Sequence, residues 1–282
     1  MKKIQPVIKW SGSKRPIAQE IVDFFPREIN NYYEPFCGGA SVMRCLLDNI
    51  ERGNNKVNGE IICSDINKDL INLWNSIITS PESVYLHYKQ LWEELNSTED
   101  KSIKRTYFEK VRERLNNEHN PLDFMFILRT CYNGLIRYNQ KGDFNTSYHL
   151  NRKGIIPEKL KNIIYEWSDL LNKYNVKFSY NSYKEIITEI NDVMFLDPPY
   201  ANVNTSMYFG NFKNNELFDF LKNQKCKWLL TYDGKSGVND NTFDVPQDLY
   251  KEHLYLKSGN SSFRNLKSVE NTITFESLYK NF

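Results

Sequence analysis

At 282 residues, 40% of them apolar and 26% charged, the chain has ordinary soluble composition and length enough for one domain carrying an insertion. Its longest apolar runs, such as Phe124 to Leu128, are far too short for a membrane span, and no apolar stretch follows Met1-Lys2-Lys3-Ile4 as a secretory signal would. The five cysteines, Cys37, Cys45, Cys63, Cys131 and Cys226, include no CxxC pair, which argues against a disulfide framework or a zinc site and for reduced thiols in a cytoplasmic setting.

The net charge of +2 hides an uneven distribution. Between Lys101 and Lys161 there are 13 Lys and Arg against 6 Asp and Glu, while the remainder carries 24 against 29. A basic segment in a near-neutral chain suggests an anionic polymer as partner, with a solvated basic helix as the alternative.

In chain order, Lys9-Trp10-Ser11-Gly12-Ser13-Lys14-Arg15-Pro16 is a polar loop leading into Ile17 to Phe25, whose apolar residues recur at helical spacing. Trp10 and Lys14 therefore stand near a helix N-terminus, where a carboxylate or phosphate is favoured. Tyr32 to Val42 reads as strand, glycine turn and helix, the turn being Phe36-Cys37-Gly38-Gly39. Paired glycines let a ligand approach backbone, but the turn matches neither the triphosphate-cradling nor the full dinucleotide fingerprint. The next strand, Glu60 to Asp65, ends in an acid roughly two dozen residues past the glycines. Such an acid suits the hydroxyls of a ribose, or else caps the helix that follows from Ile66.

From Pro81 to Lys161 the pattern is mainly helical, with aromatic and basic residues interleaved and interruptions at Cys131 to Gly134 and Gln140 to Asp143. Tyr132-Asn133-Gly134-Leu135-Ile136-Arg137-Tyr138-Asn139 gathers side chains used in base recognition, although core aromatics and a surface arginine would give a similar composition. Four apolar residues, Val193 to Leu196, then read as a strand buried on both faces and broken by Asp197-Pro198-Pro199-Tyr200. That turn puts a carboxylate and an aromatic ring at the carboxyl end of a buried strand, where open α/β sheets build their sites. Prolines donate no hydrogen bond, so the Asp197 oxygens and the Pro198 carbonyl form a bare pair of acceptors suited to an amine, with Tyr200 placed to lie on its ring. A surface aspartate in an ordinary turn is the alternative. A polar loop from Ala201 to Asn215 follows, then a strand Lys227 to Tyr232 ending at Asp233-Gly234. A strand at Leu254 to Leu256, a basic loop to Asn265 and a last strand from Val269 to Tyr279 complete the chain.

Taken together and in order, Lys9 to Lys14, Glu34 to Gly39, Ser64-Asp65-Ile66-Asn67 and Asp197 to Tyr200 resemble the Dam-type (class alpha, D12) N6-adenine-specific DNA methyltransferases. The resemblance extends to Cys131 to Asn139 and Gly142 to Asn145, and is weakest over Pro81 to Glu118 and the last third. It implies an α/β fold, a Rossmann-like S-adenosylmethionine-dependent methyltransferase sheet spanning 1–75 and 162–282, with a mainly helical target-recognition insertion at 76–161. It also implies a site without metal. Trp10 and Lys14 would contact the cofactor, which leaves as S-adenosylhomocysteine; Phe36 and Gly38 would pack beside it and Asp65 would hold its ribose. Asp197 would bind the adenine amino group close to the cofactor, within a catalytic turn completed by Pro198, Pro199 and Tyr200, the last stacking on a flipped base. Tyr132 and Asn133 would fill or flank the space the base leaves, Arg137 would read a guanine, and Lys9 would contact the first guanine of the target.

The implied partner is double-stranded DNA, with a cognate restriction endonuclease also in view, and the implied setting is a bacterial or phage-encoded cytoplasmic protein. The chain departs from the family pattern at Asn145-Thr146-Ser147-Tyr148-His149 and around Thr231 to Gly234. Both departures bear on the GATC target that the resemblance suggests, not on the reaction. An RNA or cytosine-N4 methyltransferase and a catalytically silent DNA-binding homologue are the competing readings.

Overall fold

The computed structural model describes residues 5–200, 212–260 and 273–282. Most of the polar loop expected from Ala201 and the basic loop after Asn260 lie outside them. In chain order the elements are α1 (Ala18–Asp23), β1 (Glu28–Ile29), β2 (Tyr32–Pro35), α2 (Ser41–Glu51), β3 (Lys56–Val57), β4 (Ile61–Asp65), α3 (Lys68–Thr79), α4 (Pro81–Asn96), α5 (Lys101–Glu118), α6 (Pro121–Thr130), α7 (Pro157–Lys173), β5 (Lys177–Tyr180), β6 (Val193–Leu196), α8 (Asn214–Lys222), β7 (Lys227–Ser236), β8 (Asn239–Asp240), β9 (Glu252–Asn260) and β10 (Ile273–Lys280). This is a mixed α/β protein with a central sheet, and its chain divides into two compact units.

One unit holds residues 13–64, 181–200, 212–260 and 273–282. Its sheet runs in the order β4-β2-β6-β7-β10-β9. The pairs β2–β4, β2–β6 and β6–β7 are parallel, and β7–β10 and β10–β9 are antiparallel. All four residues of β6 are buried, as a continuous apolar run requires in the middle of a sheet covered on both faces. Met194 and Leu196 join Leu217, Phe218, Trp228, Leu230 and Tyr232 in the core. The entry to β6 is pinned by Asp192, whose carboxylate accepts from Asn30 Nδ2, the Asn31 amide and Asn31 Nδ2 at 3.0 Å each, and from the Glu189 amide at 2.8 Å. With its start fixed beside β2, the opposite end of β6 delivers Asp197 to a defined position.

The strand expected to stop at Asp233-Gly234 continues through both residues to Ser236. Pairing with β10 overrides the local turn signal. The ladder shifts register between Thr274 and Glu276, and a Cβ on Gly234 would lie 2.4 Å from the Phe275 carbonyl oxygen. Asp-Gly here marks a bulge rather than a chain reversal.

The other unit holds residues 5–12 and 65–180. The expected helical character of 81–161 holds for α4, α5, α6 and the start of α7, but 131–156 is irregular, tied by isolated bridges between Cys131 and Tyr148 and between Tyr138 and Phe144. Positive φ at Asn133, Gly134, Gly142 and Gly154 is incompatible with a helix and explains the break. Aromatic packing holds the unit: Trp74 stacks on Phe178 at 4.9 Å and meets Trp167 at 5.2 Å. Fully buried Asp123 on α6 joins neighbouring helices by accepting from Arg114 Nε at 2.6 Å on α5 and lying 2.7 Å from His87 Nε2 on α4. The first described residues are anchored by the Trp167 indole N–H to the Gln5 carbonyl at 2.9 Å and by Arg129 to the carbonyls of Pro6 and Val7 at 2.5 Å. Among the described residues no helix is long and apolar enough to cross a membrane. The five cysteines are free thiols.

Candidate active site

Three adjacent strands build the acidic centre of the first unit described. β6 ends at Leu196 and hands the chain to Asp197; β7, its parallel neighbour, brings Thr231; β10, paired to β7, brings Glu276. Thr231 Oγ1 donates to Asp197 Oδ1 at 2.9 Å. The other carboxylate oxygen lies 2.7 Å from Lys14 Nζ, and the same ammonium lies 3.2 Å from Glu276 Oε2. Glu276 Oε2 also accepts from the Tyr200 hydroxyl at 2.8 Å, and Lys14 Nζ sits 5.0 Å from the centre of the Tyr200 ring. Lys14, far from Asp197 and Tyr200 in sequence, thus meets both. The Asp197 carboxylate is not bare, however. A partly buried carboxylate is held by donors, and Thr231 and Lys14 supply one to each oxygen.

The electrostatics follow from burial and from the crowd of acids. Burial opposes the charge on Lys14, but Asp197 and then Glu276 outweigh it and raise the ammonium above its ordinary value. Burial pushes the Asp197 carboxyl up, Lys14 pulls it down, and Glu276 pushes it up again, leaving it raised. Asp233 is pushed up to about 6 by burial and by Glu276 and Asp197, against the pull of Lys14. Burial and the same two acids carry the Tyr200 phenol well above its usual range. Three carboxylates facing one ammonium leave an excess of negative charge.

The turn after β2 lies in the same unit. Glu34, buried, accepts from the Tyr32 hydroxyl at 2.7 Å and from the Met43 amide in the first turn of α2 at 2.6 Å. Burial pushes its carboxyl up to about 8 against those two donors. Phe36, Gly38 and Ala40 take φ of 63°, 44° and 49°, so the chain coils in the left-handed region before α2 begins. The Cys37 amide donates to the Ser64 carbonyl at 3.0 Å, holding the turn to β4, and Phe36 packs on Tyr183 and Phe212. Ser13 Oγ lies 2.6 Å from Ser41 Oγ, tying the loop before Lys14 to the start of α2.

The remaining expected site residues fall in the other unit. Trp10 is half-buried there. Asp65 accepts the Asn67 amide at 3.0 Å, and it is Asn67, not Asp65, that caps α3, by accepting the Leu70 amide at 3.1 Å. Asn67 Nδ2 also reaches the Tyr138 hydroxyl at 2.6 Å, linking the Asp65 turn to the 132–139 segment. The Lys9 stem lies on Gly134, where a Cβ would come within 2.7 Å of it. Tyr132 is half exposed and stacks on His149 with ring centres 5.2 Å apart and planes 19° from parallel. Asn133 is exposed, in a left-handed turn with φ of 53°. Exposed Arg137 donates through Nε to Asn145 Oδ1 at 2.7 Å and through Nη2 to the Asn145 carbonyl at 3.2 Å. Lys9, Tyr132, Asn133 and Arg137 therefore share one loop cluster, and the unexpected members are Asn145 and His149.

Sequence reasoning gave no site role to Thr231, Glu276 or Glu34. Each carries a weak signal, a polar side chain inside an otherwise apolar or aromatic strand, and only strand order shows where it points. Among the described residues no cluster of His, Cys, Asp and Glu is arranged to hold a metal ion.

Comparison with known proteins bears on the chemistry. The family model described as D12 class N6 adenine-specific DNA methyltransferase matches residues 10–280. The chain is 32% identical over 261 residues to the type II methyltransferase M.MjaIII of Methanocaldococcus jannaschii, covering 86% of each chain. It is 30% identical over 221 residues to a DNA adenine methylase of Vibrio cholerae, covering 76% of this chain and 72% of that one. The type II methyltransferase M.CviBI of Paramecium bursaria Chlorella virus NC1A is 28% identical over 237 residues, covering 80% and 82%.

Proposed function

The chain belongs to the D12 class N6 adenine-specific DNA methyltransferases and is an adenine-specific DNA methyltransferase, and from that premise we propose how its own residues carry the reaction. The observation that carries the reading is the Asp197-Pro198 turn at the carboxyl end of β6, buttressed by Thr231 and facing Tyr200. S-adenosylmethionine, when bound, would supply an electrophilic methyl group on a sulfonium and leave as S-adenosylhomocysteine. The fit of this chain to it rests on the left-handed turn of Phe36, Gly38 and Ala40 at the end of β2, and on the negative excess of Asp197, Asp233 and Glu276, which complements a sulfonium. We assign Trp10, Lys14, Phe36, Gly38 and Asp65 to holding it.

Asp197 and the Pro198 carbonyl accept the two N–H bonds of the target adenine amino group. That pairing withdraws the nitrogen lone pair from the ring and aims it at the methyl carbon. With the methyl donor bound, the N–C bond would form as the methyl carbon's bond to sulfur breaks, and the surplus proton would leave the nitrogen afterwards. Positioned acceptors, rather than a general base, supply the acceleration. The amino group is out of reach in a duplex, so the base is flipped at a cost of a few kcal/mol, partly offset by stacking on Tyr200. The segment 76–161, helical apart from its irregular stretch 131–156, is the target-recognition insertion of a Rossmann-like methyltransferase domain, with Lys9, Tyr132, Asn133 and Arg137 contacting DNA. GATC is the first duplex to test, and a cognate restriction endonuclease is the partner suggested by the names of the two type II relatives.

The test is methyl transfer to duplex DNA by Asp197→Ala and Asp197→Asn. Both should be severely impaired, since the first removes an acceptor and the second offers a weaker, neutral one that can present its NH₂ instead. Turnover close to that of the parent in either variant would overturn the assignment.

A further inference from the structure

Both Asp197 oxygens are occupied in this structure, one by Thr231 and one by Lys14. Each carboxylate oxygen has a second lone pair, so an amino group that is to use Asp197 competes with these two donors for the carboxylate. Thr231 Oγ1 also lies 3.3 Å from the Leu196 carbonyl, so its hydroxyl can turn to that acceptor while β7 stays paired to β6. Lys14 sits on a long flexible stem, but its side chain is only 3% exposed, so leaving Asp197 would strand a buried ammonium unless a second anion is within reach. Glu276 is that anion: its Oε2 is already 3.2 Å from Lys14 Nζ, and the same oxygen holds the Tyr200 hydroxyl at 2.8 Å.

We propose that Glu276 is a positioning residue that takes over the Lys14 ammonium when the target amino group claims Asp197, keeping the exchange neutral in charge. This inference rests on the reading of Asp197 as the acceptor of that amino group. Without Glu276, the Lys14–Asp197 ion pair becomes the resting place of the ammonium, and the protein holds its own acceptor closed.

The experiment measures kcat, the KM for duplex and the calorimetric Kd for S-adenosylmethionine in the parent, Glu276→Gln, Glu276→Asp, Lys14→Met, Tyr200→Phe and the two double variants that add Glu276→Gln. Glu276→Gln should lower kcat on the order of a hundredfold, as loss of one preorganised charged group does, with cofactor Kd changed less than about threefold. Glu276→Asp, which keeps the charge on a shorter stem, should recover part of that loss. Added to Lys14→Met, Glu276→Gln should cost less than about threefold more, because the ion pair it disturbs is already gone. Added to Tyr200→Phe, it should keep most of its effect. The inference is overturned if Glu276→Gln retains kcat within about twofold, or if its loss is unchanged on the Lys14→Met background. It is also overturned if Tyr200→Phe alone absorbs the loss, which would reduce Glu276 to a tether for the ring. An inactive Asp197→Asn alongside any of these results removes this inference alone. A fully active Asp197→Asn removes the reading beneath it.

Discussion

Glu34 is a buried carboxyl that the fold prefers to keep protonated, and this has a measurable consequence. Its pKa stands at about 8 in the folded protein against an ordinary 4.5, with burial as the largest cause. A group raised on folding binds its proton more tightly in the native state, so its stabilising contribution is fully present below about pH 4.5 and is lost as pH rises through 8. Unfolding free energy should therefore decline from pH 6 to pH 9 by an amount on the order of a few kcal/mol, and Glu34→Gln should flatten that decline. Urea titrations of both proteins at several pH values check it; parallel pH profiles would show that Glu34 is ionised throughout. At this scale the sequence displays Asp197, Pro198, Tyr200 and Lys14 readily, because a proline turn and a loop lysine before a helix are local signals. It hides Glu276 and Thr231, which meet Tyr200 and Asp197 across 76 and 34 residues of chain. No spacing rule connects such residues; only the pairing of β6 with β7 and β7 with β10 does.

Elements show the same division between local and long-range information. The four apolar residues of β6 identify a strand buried on both faces without help, since nothing else accommodates Val-Met-Phe-Leu before a double proline. The Asp233-Gly234 pair misleads, because its turn propensity is overridden by β10. Segment 131–156 reads as helix with interruptions, whereas its positive-φ residues make it an irregular lobe in which Tyr132 meets His149 and Arg137 meets Asn145. The bulge at Gly234 gives the next prediction. A Cβ there would sit 2.4 Å from the Phe275 carbonyl and 3.0 Å from the Ser277 amide, both backbone atoms that cannot rotate away. Gly234→Ala should thus push β10 outward, costing about 1–3 kcal/mol as overpacking does. Because Glu276 lies between those two residues, activity at a temperature well below the melting point should fall as well. A variant with lowered Tm and parental kcat would show that the strand absorbs the strain without moving the carboxylate.

Across the whole molecule, charge separates affinity from choice of site. Residues 101–161 carry 13 basic against 6 acidic side chains, while the rest of the chain is acid-rich. Such a segment gives affinity for any duplex, and that affinity falls steeply with salt. Selectivity needs a side chain held in a fixed orientation toward a base edge. Arg137 meets the description: its guanidinium is exposed, and two of its nitrogens are fixed by Asn145, at 2.7 and 3.2 Å. That orientation was not legible in the sequence, where Asn145 closes the matched stretch Gly142 to Asn145 and opens the departing one without any sign that it braces Arg137. A bidentate arginine contact discriminates between bases by about 1–3 kcal/mol, so Arg137→Ala should lower methylation of the cognate duplex roughly 5- to 150-fold more than that of a duplex altered at one guanine. Asn145→Ala should show a smaller change of the same kind, since the guanidinium remains but loses its brace. The cognate duplex comes from sequencing the modified bases in DNA of cells expressing the protein. Rates on it and on its single-base variants, measured at two or three salt concentrations, separate the roles. A base reader leaves the salt slope of binding nearly unchanged and narrows the gap between substrates. If Arg137→Ala instead scales every substrate down by one factor and flattens the slope by about one, Arg137 contacts a phosphate and the reader lies elsewhere.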